Sequence, residues 1–394
     1  MRKTTQLLIQ EVGPKSWVSL AWLSWTHFLN DGIVNYLPGI LPYVVRVRHV
    51  PMDLAGSLMT ALLLGQSLQP LSGWLADRWG GRSLMLGGVG LSTLSAAVFG
   101  WAHPVWLLLT LLLLAGVGNT AFHPQALSIT RRLVSKRRAV GTSVFLVGGE
   151  IGRSLGPLAA GLVVSRLGLS WLWLLGVPFL LTLPAAAATV PPQARSHPTS
   201  TGIRWRRHLK PASALLAYSL VRSATVYEMI TLAPLIWRQH GGSLVAGALL
   251  VTTLIGVGIV GNLLGGAVTD RVGRRAVLLG TSGLAAVTLV AFLGLRGAWI
   301  WGVLAVMGIA LFGASSTTML IGQDIFSENP GLGSGVALGL SNGLGALMVL
   351  PLTYVAVHWQ AATVVWILLG LSLVTLPAVW AMPLQSPRGA AAKP

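Results

Sequence analysis

The sequence predicts an all-α membrane protein with twelve transmembrane helices in two pseudo-symmetric six-helix bundles. Three observations carry that prediction. Hydrophobic residues fill 54% of the 394 positions and charged residues only 9%, whereas soluble domains carry roughly 25% charged residues. Apolar stretches such as 169–190 and 276–295 recur along the chain, each long enough to cross a bilayer. A polar loop motif also appears twice, once in each half. A water-soluble surface cannot be built from this composition, so a soluble enzyme is excluded.

With about 20 residues needed per crossing, the spans fall at 17–45, 54–76, 83–102, 105–130, 139–165, 169–189, 212–238, 244–269, 275–295, 298–322, 332–357 and 360–382. The apolar run of span 1 is too long for a signal peptide and should remain in the mature protein. Of the 27 Lys and Arg, 20 fall on one side of the membrane, five on the other and two, Arg153 and Arg222, inside spans. Basic residues gather on the cytoplasmic side, so both termini are expected there. The same asymmetry accounts for the net charge of +18 without a nucleic-acid partner, and anionic lipid headgroups are the expected neighbours. The absence of cysteine excludes disulfides and thiolate sites, and no metal constellation or cofactor signature appears.

The polar segment 191–210, with Arg204, Arg206, Arg207 and Lys210, divides the chain into bundles 1–190 and 211–394. Gly73, Asp77, Arg78, Gly80 and Arg82 follow span 2; Gly266, Asp270, Arg271, Gly273, Arg274 and Arg275 follow span 8, with Gly73 and Gly266 offset by 193. A carboxylate at either place can face the positive N-terminus of a helix in the other half. Asp77 and Asp270 are therefore expected to latch the cytoplasmic side, with Arg78 and Arg271 holding loop or helix-end carbonyls. Gly148, Gly152 and Gly156, followed by Pro157, repeat in span 11 as Gly335, Gly339 and Gly343. Glycine at every fourth position lets a neighbouring backbone approach, so spans 5 and 11 are each expected to press against a helix of the opposite half.

These paired Gly-x-x-x-Asp-Arg-x-Gly loops resemble the loop signature of the major facilitator superfamily. Three further segments resemble its fosmidomycin-resistance-type exporters: His27 to Asp31 with Asn30 in span 1, Gly118 to Pro124 with Asn119 and His123 in span 4, and Gly148 to Pro157 in span 5. The last also resembles the antiporter signature Gly-x-x-x-Gly-Pro-x-x-Gly-Gly. The resemblance implies proton-coupled export of a drug or metabolite, with protons as the only coupling species, from a bacterial inner or plasma membrane. A monomer is expected to suffice. The chain departs from the pattern at Gly81 and Leu112, where basic residues are usual, and at Glu150 and Arg153, where the branch carries uncharged polar residues.

Asp31, Glu150 and Glu228 lie inside apolar spans, where a charge costs about 2.5–3.5 kcal/mol. His27 and Asp31 are four apart and share a helix face, which suits a proton carrier with Asp31 as the acid and His27 as its modulator. Glu150 and Arg153, three apart, pair locally, either as a neutralised structural pair or as a substrate contact. Arg222 and Glu228 point to different faces of span 7 and need partners elsewhere; the planar fork of Arg222 suits an anion. Asn119 and His123 share a face of span 4, where Pro124 removes a backbone hydrogen bond; His123 reads equally as cavity group or kink support. The run Gly256, Gly258, Gly261 fits a dinucleotide fingerprint but lies in a membrane helix without a preceding strand, so it reads as packing. A proton-coupled exporter of a small amphipathic or anionic compound follows. Its rivals are an importer on the same fold and a non-transporting membrane receptor or scaffold.

Overall fold

The computed structural model describes residues 14–68, 71–72, 75, 81–133, 138–189, 205–294, 297–327, 330–382 and 384. Gly73, Asp77, Arg78 and Gly80 lie outside the described residues, as does most of the segment 191–210. Among the described residues there is no strand, and the helices follow the order of the twelve expected spans. Eight are long and apolar enough to cross a bilayer on composition alone. Three of the remaining spans are those with intramembrane charge: span 1 with Asp31, span 5 with Glu150 and Arg153, and span 7 with Arg222 and Glu228. The fourth is span 2, of which Ala55–Ser67 is described as one helix.

Several spans are broken or shifted relative to the expectation. Span 1 consists of Pro14–Val34 and Leu37–Val47, the second helix restarting with Pro38 in its first turn, where a missing N–H costs nothing. Span 4 (Val105–Leu133) and span 5 (Arg138–Leu167) are continuous through Pro124 and Pro157. Span 7 begins at Trp205, so Arg206, Arg207 and Lys210 sit exposed on its first two turns rather than in a linker. Span 10 is split into Trp299–Gly313 and Ser315–Ile325, and span 11 carries a π-helical segment, Gly335–Leu340, ahead of Ser341–His358.

Spans 5 and 11 each press against a helix of the opposite half as expected, but mostly not through the predicted glycines. A methyl at Gly148, Gly152 or Gly156 would run into the backbone of Ser24, Phe28 or Gly32, and one at Gly39 into Pro157. Span 5 therefore uses its glycines to clasp span 1 of its own half, and backbone contact there supplies the van der Waals attraction that lipid does not oppose. In span 11, a methyl at Gly335 or Gly339 would meet nothing, and among the three stripe glycines only one at Gly343 would approach the opposite half, at Ser67. The π-helical segment is the reason: its wider turns put the second stripe out of phase, so equal spacing does not give one face. Gly345 instead meets Ser223 of span 7, giving the second half its own close pair. Gly258, Gly261 and Gly265 of span 8 (Leu244–Val272) pack on Phe312, Ile309 and Gly313 of span 10, so the dinucleotide-like run is a helix contact.

The halves join through spans 5 and 8 and through spans 2 and 11. Ser154 Oγ donates to the Thr252 carbonyl (3.2 Å) and Thr252 Oγ1 returns a bond to the Ser154 carbonyl (2.7 Å). Thr60 Oγ1 donates to the Ala346 carbonyl at 3.1 Å. A methyl on Gly161 would press into Ala248, and one on Gly56 into Thr353. From mid-span outward, these contacts close the face remote from the chain ends.

Two outcomes test this packing. Gly152→Leu should separate spans 1 and 5 and destabilise the fold by about 1–3 kcal/mol, whereas Gly335→Ala should fall within about 0.5 kcal/mol of the parent; thermal unfolding in detergent reads both. Because the chain has no cysteine, Ser67→Cys is a unique reporter on the cavity wall. Adding Ser154→Ala with Thr252→Val should raise its labelling by a membrane-impermeant maleimide from the remote face roughly ten-fold, the effect of losing two hydrogen bonds. Unchanged labelling would place the seal elsewhere.

Candidate functional site

Asp31 lies at the centre of the first half, on span 1. His27 Nε2 is 3.4 Å from Asp31 Oδ2, and His123 Nε2 of span 4 is 3.3 Å from Oδ1. The two Nε2 atoms are 3.2 Å apart. Asn119 Nδ2 donates to Asp31 Oδ1 at 2.8 Å. Each imidazole is oriented from behind, His27 Nδ1 lying 2.8 Å from the Phe145 carbonyl and His123 Nδ1 2.8 Å from the Asn119 carbonyl. A carbonyl oxygen only accepts, so both Nδ1 atoms carry hydrogen and each neutral ring presents a bare lone pair at Nε2. Two such lone pairs and an ionised carboxylate attract one another only through a shared cation. One proton makes the cluster an imidazolium–carboxylate pair that is neutral overall. A second would set two N–H groups against each other across 3.2 Å.

The surroundings hold this arrangement. A methyl at Gly149 would occupy the place of the His27 ring, which stacks on Phe145 with centroids 4.2 Å apart. Pro124 cannot bond the Thr120 carbonyl four residues back; Ser72 Oγ of span 2 supplies that bond at 2.8 Å. Asn30 is fully buried behind the cluster, accepting from Ser92 Oγ of span 3 at 2.7 Å. It therefore braces span 1 and does not line the cavity.

The cavity lies between the halves. Asp31, Asn119, His123 and Arg153 line it from the first half, with Tyr227 and Asn342 from the second. Arg153 Nη2 donates to Glu150 Oε1 at 3.1 Å, so the pair forms and only its arginine reaches the cavity wall. Glu228 is turned away, fully buried between spans 7 and 11, where Thr353 Oγ1 donates to it at 3.2 Å. Arg222 also misses the main cavity. It lines a smaller cleft within the second half and donates to the Leu311 carbonyl and Ser315 Oγ, both at 3.2 Å.

Sequence reasoning missed Asn35 and Gln66, which are joined at 3.3 Å on the cavity wall. Asn35 stands one helical turn beyond Asp31 on the same face, and Gln66 is a polar residue in an apolar run; both signals were present in the sequence.

The second loop motif is described. Asp270 and Arg271 are exposed at the end of span 8 and have no partner among the described residues. Gly273 ends the helix at φ 87°, a conformation that favours glycine. Arg274 pairs with Asp324 of span 10, and Arg275 lies 5.9 Å from the Trp380 ring of span 12. Arg82 donates to the Ala187 carbonyl at the end of span 6. These basic residues tie helix ends within their own halves.

Comparison with known proteins agrees with this architecture. The Major Facilitator Superfamily model matches residues 23–350. The fosmidomycin resistance protein of Escherichia coli is 26% identical over 91% of this chain and 92% of its own. An uncharacterized MFS-type transporter, YfnC of Bacillus subtilis, is 24% identical over 86% of each. Among solved structures, the nucleoside transporter NupG superposes with a TM-score of 0.75 at 14% identity, covering 92% of this chain and 98% of that one. A bacterial homolog of the human lysosomal transporter Spinster, inward-facing and unoccupied, gives 0.69 at 17% identity, covering 95% and 99%. A multi-pass helical membrane protein with two repeated halves around a central cavity, this chain belongs to the major facilitator superfamily.

Proposed function

We propose that the chain is a proton-coupled secondary transporter that exports a small amphipathic or anionic compound from a bacterial cytoplasm by antiport. The observation that carries this reading is the His27–Asp31–His123 cluster, whose lone pairs call for one shared proton at the wall of a cavity between two halves. Similarity to a fosmidomycin resistance protein supports export of a small compound. In this mechanism residues 1–190 and 211–394 rock about the cavity as two bodies joined by 191–210. The cluster takes up its proton when open to the outside and releases it inside as cargo binds. Arg153 offers the cavity a cationic fork for an anionic group, and no covalent chemistry takes part. The excess of basic residues on the terminal face supports an inner-membrane orientation with both termini in the cytoplasm. The protein works as a monomer among lipids.

The test is flux in proteoliposomes under an imposed pH gradient, with a panel of candidate compounds. Asp31→Asn keeps the shape and removes the ionisable group, so it should abolish uphill efflux while downhill exchange persists; uphill efflux by this variant would make Asp31 structural. A second outcome concerns Gly149. Gly149→Ala displaces the His27 ring, so its loss of coupled efflux should match that of His27→Ala, and the double variant should lose no more than either alone. Additive losses would mean that Gly149 acts by another route.

A further inference from the structure

The sequence offered no metal constellation because its ligands are dispersed: His27 and Asp31 are on span 1, and His123 follows 96 residues after His27. Folding brings two imidazole Nε2 atoms and one carboxylate together with all ligand atoms within 4.8 Å. We propose that this cluster is a binding site for one divalent transition-metal ion of the Zn²⁺ class, with a further coordination position open to the cavity.

Four features support the assignment. Two histidines and one carboxylate form a recurrent three-ligand set for zinc with an open position. The separations are 3.2 Å between the imidazoles and 3.3 and 3.4 Å from them to the two carboxylate oxygens. Ligands at about 2.0–2.1 Å from a tetrahedral ion stand about 3.3 Å apart, close to the spacing of the two imidazoles and of each imidazole from its nearer carboxylate oxygen. The ring orientations are already set, since each Nδ1 donates to a backbone carbonyl and Asn119 steadies the carboxylate; such outer partners fix the tautomer that leaves Nε2 free to ligate. Access comes from one side: the His27 side chain is 4% exposed, that of His123 is 22% exposed, and His123 and Asp31 face the cavity. The nearby cation Arg153 is already paired with Glu150, which lessens its opposition to a bound dication.

An ion held here would bridge spans 1 and 4 through the lone pairs that the transport reading gives to a proton. Metal binding itself does not depend on that reading. The experiment uses the full chain without a histidine tag, washed with chelator in detergent and titrated with Co²⁺ as a visible probe and then with Zn²⁺. One Co²⁺ should bind per chain with the intense visible bands of low-symmetry four-coordination, and Zn²⁺ should displace it and raise the wild-type melting temperature. His123→Ala and Asp31→Asn should each weaken binding about 100-fold or more, and Asn119→Ala about 10–100-fold. His358→Ala, at an exposed histidine remote from the cluster, should bind as the parent does. Absence of saturable one-to-one binding by the wild type, or undiminished binding by His123→Ala, would overturn the proposal. Because the titration needs neither cargo nor a gradient, a chain that exports but binds no metal would sink this inference alone, and one that binds metal without exporting would sink only the transport reading.

Discussion

A carboxylate in the middle of a membrane is the constraint around which the first half is arranged. Leaving Asp31 uncompensated there costs about 2.5–3.5 kcal/mol, so the fold must bring polar groups to it from helices that lipid gives little reason to associate. It does so by letting backbones touch. Span 5 meets span 1 along Gly148, Gly152 and Gly156, and that closeness leaves room for the His27 ring only because Gly149 has no side chain. Span 4 brings Asn119 and His123 from the other side, and the carbonyl freed by Pro124 is satisfied by Ser72 of span 2.

The two halves repeat in backbone and diverge in chemistry. Each presses one glycine-bearing helix against its first span, and each uses a basic residue after the loop motif to hold a helix end of its own half: Arg82 on Ala187, Arg274 on Asp324. The polar cluster, however, has no copy among the described residues of the second half. Glu228 there meets a threonine hydroxyl, and Arg222 meets a carbonyl and a serine. The repeat thus supplies two similar scaffolds around an asymmetric cavity, with the charged and imidazole side chains on one wall and a mostly apolar, uncharged lining on the other.

The sequence exposed most of the architecture because membrane crossing is a compositional property that each span carries alone. Where a span must also host charge, as in spans 1, 5 and 7, the apolar signal weakens while the helix persists, since neighbouring helices rather than lipid solvate the polar groups. The site was half legible. His27 with Asp31, and Glu150 with Arg153, are local pairs that helical spacing reveals. The meeting of His123 with Asp31 depends on how spans 1 and 4 pack, which no single-helix pattern records. The span 11 stripe misled for a related reason: counting by fours assumes an α-helix throughout, and Gly335–Leu340 is not one.

The seal between the halves is built from hydroxyls, carbonyls and small side chains. Ser154 with Thr252, and Thr60 with Ala346, meet without a formal charge on either partner. Mobile ions screen charged contacts over about 8–10 Å at physiological strength, whereas short neutral hydrogen bonds away from water escape that screening. Contacts of this kind keep their strength as ionic strength changes, so the closed face remote from the chain ends is insulated from the salt content of the medium it meets.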